Sequence, residues 1–236
     1  MNPRSIAAGL VLALSAAGGA FAQAPATPAP AATAAAPPAA APARVVRPPL
    51  FFREEWKQTA KGGEHPMTAD SVGNSDLELN LHAPAGEILL TGSAGDENNP
   101  IHPWLGMCTS PCAVTLRSKT KLADLTGLAR VRWNTKMSGF HQVRPVVKLA
   151  DGTWLVGDQA SGATRDWLVS EIPFADLRWL KLDMARVVTT GTLLDKVDLA
   201  KVEEIGFADL MPGSGHGPGG WSDVAQIEVY AKAVPR

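Results

Sequence analysis

Cysteine, histidine in ligand spacing, net charge and long apolar runs are all scarce in this chain of 236 residues, and each scarcity removes a class of function. Cys108 and Cys112 are the only cysteines. In Cys-Thr-Ser-Pro-Cys they stand one residue further apart than the usual redox pair, and no helix obviously follows. A structural disulfide closing a tight loop is therefore expected, with reactive thiols or a metal site as the alternatives. So small a loop constrains the unfolded chain little, and its contribution is to local shape. The histidines, His65, His82, His102, His141 and His216, contain no His-x-x-x-His pair. Each reads as a loop or surface residue rather than a metal ligand. A formal net charge of −1 gives no electrostatic case for nucleic acid or for an anionic membrane. There is no Gly-x-Ser-x-Gly elbow, and the glycine run from Gly213 to Gly220 lacks the Lys-Ser/Thr of a phosphate loop. No repeat of fixed period is visible.

The leading apolar run, Ile6 to Ala17, falls short of the roughly 20 residues a spanning helix needs. Arg4 precedes it and Ala20-Phe21-Ala22 follows as a small-x-small cleavage site, so residues 1–22 read as a signal peptide. Loss of Arg4 with it takes the net charge from −1 to −2. No cysteine follows the cleavage site, which argues against a lipid anchor. The expectation is a periplasmic or secreted protein with no membrane span after cleavage. Residues 23–49 are almost wholly Ala, Pro and Thr, with no charge before Arg44. Such a segment cannot bury enough surface to offset its ordering entropy, and it reads as a linker, either a spacer or a disordered tail. Residues 50–236 have the length of one domain.

Within that domain, apolar and polar residues alternate with period two in many short runs. Leu50-Phe51-Phe52, Leu77 to Leu81, Glu87 to Leu90, Val114 to Lys119, Trp179 to Asp183, Ile205 to Phe207 and Ala225 to Tyr230 all read as strands. The richest stretch is Leu125 to Phe174. There Ala129, Val131 and Trp133 alternate with Arg130, Arg132 and Asn134, which predicts a half-buried strand with a basic outer row. Pro145, in the next extended run, suggests a sheet edge or a bulge because it cannot donate to a ladder. Asp151-Gly152 between two apolar runs predicts a type I′ hairpin that pairs Trp154 to Val156 with Val146 to Leu149. Asp166 to Ile172 forms a further strand, and Asp198 can cap a single helical turn through Lys201. About ten strands without a long amphipathic helix predict an all-β, antiparallel two-sheet sandwich.

The segments Asp124-Leu125-Thr126-Gly127, Ile172-Pro173-Phe174, Val197 to Phe207 and Ile227-Glu228-Val229, in that order, resemble the galactose-binding-like jelly rolls. The resemblance is nearest to complex I intermediate-associated domains and certain carbohydrate-binding modules, and it covers Asp124 to Tyr230, about half the chain. Leu50 to Lys119 matches less well and equally suits the opening of a concanavalin-A-like sandwich. Both alternatives are jelly rolls. The resemblance implies carbohydrate or protein binding, often with a structural calcium, and it carries over no ligand-binding residue.

Arg130, Arg132, Arg144, Lys148, Asp158, Asp166 and Glu171 are candidates to converge on one sheet face or its rim. Beside Trp154 or Trp167 they would suit a sugar, whose apolar ring face packs on indole while charged groups bind its hydroxyls. The candidate ligand-binding set is Arg132, Arg144, Trp154, Asp158 and Asp166. Equally, these charges form a salt-bridged outer face with the tryptophans in the core. No catalytic residue is assigned, although a carboxylate pair among Asp158, Asp166 and Glu171 would serve glycoside hydrolysis if suitably spaced. Asp96-Glu97-Asn98-Asn99 has oxygen donors suited to calcium but lacks the EF-hand pattern, so no cofactor is expected beyond that calcium. The function expected is exported, non-catalytic binding of carbohydrate or of an envelope protein. A glycoside-processing enzyme and a structural assembly factor are the alternatives.

Overall fold

The computed structural model describes residues 46–59, 63–217 and 219–236. The expected signal peptide and nearly all of the Ala/Pro linker lie outside the described residues. Among the described residues there are sixteen strands and two short 3-10 turns, and no helix is long and apolar enough to cross a membrane. In chain order the strands are β1 (Leu50–Glu54), β2 (His65–Pro66), β3 (Leu77–His82), β4 (Leu89–Thr91), β5 (His102–Trp104), β6 (Cys112–Ser118), β7 (Lys121–Asp124) and β8 (Arg130–Met137). They continue as β9 (Val143–Leu149), β10 (Trp154–Gly157), β11 (Leu168–Pro173), β12 (Trp179–Asp183), β13 (Val188–Leu194), β14 (Val202–Asp209), β15 (Ser222–Tyr230) and β16 (Lys232–Pro235).

The strands form two antiparallel sheets. The first is seven-stranded and runs β11-β8-β15-β5-β4-β2, with β1 also on β15. The second is nine-stranded and runs β13-β12-β10-β9-β14-β6-β3, with β7 on β14 and β16 on β7. The chain crosses repeatedly between the layers, so sheet neighbours such as β8 and β15 come from distant parts of the sequence. This is an all-β sandwich of jelly-roll type.

Period two accounts for the layering. In β8, Val131, Trp133, Thr135 and Met137 are buried, while Arg130, Arg132, Asn134 and Lys136 are half-exposed on the other face. Trp133, Phe207, Leu155, Val147, Ile227 and Phe174 meet in the core between the sheets. The middle of the second sheet departs from simple alternation. Adjacent residues Val146 and Val147, Leu155 and Val156, and Phe207 and Ala208 are all 0% exposed, so these strands are covered on both faces. The outer cover is a second apolar cluster of Ala113, Val146, Val156, Leu182, Met184, Val187 and Ala208.

Buried polar groups tie loops to this frame. Glu54, at the end of β1, is fully buried; its Oε1 accepts the Gly73 amide at 2.6 Å and its Oε2 the Asn74 amide at 3.0 Å. Burial pushes its carboxyl pKa upward, and the two amides partly offset that rise. A Cβ on Gly73 would stand 2.7 Å from the Glu55 carbonyl oxygen. Gly73→Ala is therefore expected to destabilise the domain by about 1–3 kcal/mol, read as a lower urea midpoint at unchanged m.

Several expectations from the sequence need correction. The turn at Asp151-Gly152 is not type I′, because only Gly152 has positive φ (+89°). The Gly152 amide donates to the Leu149 carbonyl at 2.9 Å, and the Leu149 amide to Thr153 at 2.9 Å. This is a type I turn followed by a left-handed glycine, the three-residue hairpin loop that also fits the strand twist. Pro145 lies in an interior strand, opposite Phe207 of β14, although the ladder to β10 stops one residue away at Val146. Asp198 caps no helical turn; its Oδ1 accepts the Ala200 amide at 2.9 Å in an irregular segment before β14. The 3-10 turns lie instead at Ala69–Ser71 and Phe174–Asp176. The strand expected from Glu87 starts at Leu89, and the one expected from Asp166 starts at Leu168. The expected disulfide joins Cys108 to Cys112.

Candidate functional site

The outer face of the second sheet brings an indole together with a set of hydrogen-bonding side chains. Gly206 and Ala208 of β14 and Ala113 of β6 leave little bulk on this face, and Gly206 pairs with both Thr115 and Val146. The indole of Trp154, from β10, lies partly exposed there. The His82 ring from β3 meets it edge-on, with centroids 5.1 Å apart, and the Lys148 ammonium stands 5.5 Å from its centre.

A polar relay from four strands surrounds the indole. Glu204 Oε2 accepts from the Thr115 hydroxyl at 2.7 Å and from the Asn80 amide at 3.0 Å. Its Oε1 accepts from Lys148 Nζ at 3.1 Å. Lys148 Nζ also lies 3.3 Å from Glu203. Burial opposes the ammonium charge, but the hydrogen bonds to Glu204 and Glu203 outweigh it and hold the Lys148 pKa above its usual value. His82 Nε2 is 3.0 Å from Thr115 Oγ1. Thr115 has one proton and gives it to Glu204, so His82 donates through Nε2 and keeps Nδ1 as an acceptor. Burial pushes the His82 pKa down, with Glu204 and Lys148 acting in opposite senses, so the ring is neutral at pH 7. Next to His82 is a cavity of about 380 Å³, lined by Leu81 to Pro84, Ser110, Pro111 and the turn Met184 to Val187.

The five candidate ligand residues are not brought together. Arg132 is on the outer face of the first sheet, donating to Glu228 Oε2 at 2.8 Å, so the whole sandwich separates it from Trp154. That bond holds the Arg132 guanidinium pKa above its usual value. Arg144 and Trp154 share the outer face of the second sheet. Arg144 donates to the Asp158 carbonyl at 2.7 Å, while the Asp158 carboxylate takes the backbone amide and Nε of Arg178 at 2.9 and 2.7 Å. Burial opposes its ionisation, but Arg178 outweighs burial and lowers the Asp158 pKa. Asp166 is exposed in the loop before β11. Glu171 faces Arg130 at 3.0 Å. Asp158 and Glu171 thus each have their own guanidinium, which is the open, one-to-one pairing rather than a shared acid–base cleft.

Trp133 is a core residue whose Nε1 donates to Ser161 and Ser170 at 2.9 and 3.0 Å. Trp167 packs edge-on against His102 and donates to the Asn98 carbonyl at 3.1 Å. In the Asp96–Asn99 loop, Asp96 Oδ1 accepts the Asn98 and Asn99 amides at 2.9 and 3.2 Å, as in an Asx turn. Among the described residues no group of three or more His, Cys, Asp or Glu side chains is disposed to hold a metal. The reading of the histidines as loop or surface residues is overturned at His65 and His102, which are in strands and 8% and 4% exposed, while His141 is in a loop but buried at 3%. Sequence reasoning also missed Asn80, His82, Thr115 and Glu204. The alternation in Leu77–His82 already placed Asn80 and His82 on one face, but nothing local said which sheet or neighbours that face would meet.

No protein-family model matches the chain, and no curated protein matches it significantly. Among solved structures, the chain is similar to the family 11 carbohydrate-binding module of the cellulosomal cellulase Lic26A-Cel5E of Clostridium thermocellum. That match has 14% identity, covers 72% of this chain and 96% of that one, and has a TM-score of 0.43. The family 11 module from the same organism in complex with a β-1,3-1,4-mixed-linked tetrasaccharide matches at 14% identity over 72% and 97% of the two chains, with a TM-score of 0.42. At this level of likeness the comparisons assign no function.

Proposed function

We propose that this domain belongs to an exported protein and binds carbohydrate on the outer face of its second sheet. The observation that carries the reading is the partly exposed indole of Trp154, set among hydrogen-bonding groups that hold one another in place. An indole presents an apolar face to a pyranose ring, while His82 Nδ1, Asn80 and the remaining proton of Lys148 offer an acceptor and donors for hydroxyls. Lys148 is matched by Glu203 and Glu204, so the cluster favours neutral, hydroxylated ligands over anionic ones. The Cys108–Cys112 disulfide supports an oxidising compartment.

The test is a glycan array read with the full chain and with Trp154→Ala. Wild-type binding is expected to fall by at least about 30-fold in the variant, as for a stacked aromatic at the centre of an interface. Trp154→Phe is expected to keep part of it. An array without any wild-type signal, or binding indifferent to Trp154→Ala, sinks the proposal.

A further inference from the structure

The turn joining β12 to β13, Met184–Val187, exposes Ala185 and Arg186 but turns Met184 and Val187 inward. It folds back over the outer face of the second sheet, where Met184 and Val187 are 8% and 3% exposed. There they share one apolar cluster with Val156 of β10, Val146 of β9, Ala208 of β14 and Ala113 of β6. Its far side walls the cavity of about 380 Å³ together with Leu81 to Pro84, Ser110 and Pro111. Four strands separate β12 from β3 in this sheet, so the turn bridges the face from one side towards the other. Val187 has φ +52°, a left-handed conformation that branched side chains rarely adopt. Such a residue persists where surrounding packing over-determines it, which makes this strap a fixed wall rather than a loose cover.

His82 belongs both to this cavity and to the cluster around Trp154. A ligand lying along Trp154 thus meets, at His82, a small recess bordered on its far side by the strap. The recess is near the lower end of the roughly 300–1,000 Å³ typical of ligand pockets, room for a terminal unit rather than a run of units. Resting on the carbohydrate-binding reading, we infer that the strap is a stop: the domain recognises the end of a glycan chain and rejects chain interiors. Met184 and Val187 are then specificity-determining residues, acting by steric exclusion rather than by attraction.

Orientation on an array tests this whatever the sugar. Each linear oligosaccharide is printed twice, coupled through its reducing end and through its non-reducing end. The wild-type chain is expected to bind its glycans in one orientation only, by a margin of at least about tenfold. A variant with Met184–Val187 replaced by Asn-Gly, a two-residue hairpin turn, is expected to bind both orientations about equally. A cooperative urea transition shows that this variant is folded, and a folded variant that keeps the one-orientation preference overturns the stop. Equal wild-type binding in both orientations overturns the stop while leaving carbohydrate binding intact. No binding in either orientation overturns the carbohydrate reading and the stop with it.

Discussion

Asp209→Ala is expected to lower the stability of the domain by on the order of 4 kcal/mol. Asp209 ends β14 in the second sheet and is 1% exposed. Its Oδ2 accepts from Ser222 Oγ at 2.6 Å, and Ser222 opens β15 in the first sheet. The same oxygen contacts His141 Nδ1 at 2.6 Å, from the loop that joins β8 to β9. Oδ1 accepts the Met211 amide at 3.0 Å. One carboxylate thus clasps both sheets and two loops at one end of the sandwich. Deleting it strands three buried or half-buried donors, each costing about 1–3 kcal/mol if unsatisfied, less whatever water recovers. Asp209→Asn keeps a carbonyl acceptor and is expected to lose roughly half as much. Urea unfolding at constant m measures both. A loss under about 1 kcal/mol for the alanine variant would show the clasp to be incidental.

The same residues show where sequence legibility stopped. The alternation of β8 was readable because each polar residue faces water and each apolar one the core, so local pattern and tertiary burial agree. The layering of the sandwich followed from it. Asp209, Ser222 and Glu54 break the pattern, because a polar residue in a strand reads as exposed unless its distant partner is known. Asp151-Gly152 marks the place of the hairpin but not its type, since Asp-Gly suits both a two-residue turn and a three-residue loop ending in left-handed glycine. The site suffered most. Trp154 and Lys148 are close in sequence, paired across β9 and β10, and both were candidates. Glu204, Thr115 and His82 arrive through the β9-β14-β6-β3 order, which no local rule supplies. Arg132 and Arg144 looked alike in sequence, yet the chain crosses from one sheet to the other between them.

Stability is expected to be flat between about pH 4 and 6.5 with respect to one buried pair, and to fall by on the order of 2 kcal/mol between pH 6.5 and about 8. The pair is Asp223 and His102, whose side chains are 6% and 5% exposed and whose nearest atoms, Oδ1 and Nε2, are 3.7 Å apart. Burial pushes the Asp223 carboxyl up to about 8, against the Trp221 indole hydrogen bond and the Lys136 charge. Burial pushes His102 down to about 4, against its bond to the Pro100 carbonyl, with Lys136 adding to the fall. Asp223 Oδ1 has no hydrogen-bond partner among the described residues, as suits a protonated oxygen facing a neutral imidazole. Between pH 4 and 6.5 the folded pair holds one proton, on the carboxyl, and the unfolded chain also holds one, on histidine. The difference in bound protons is zero, so the slope is zero, whichever partner carries the folded-state proton. Above pH 6.5 the unfolded histidine has released its proton and the folded pair has not. The native state then binds more protons, and stability falls as pH rises until the folded pair titrates near 8. Asp223→Asn leaves His102 alone with a lowered pKa, so in that variant stability should rise from pH 4 to 6.5 and be flat above. Urea midpoints across pH 4–9 read both curves, and a wild-type curve that climbs between pH 6.5 and 8 with Asp223→Asn tracking it would remove the buried pair as the cause.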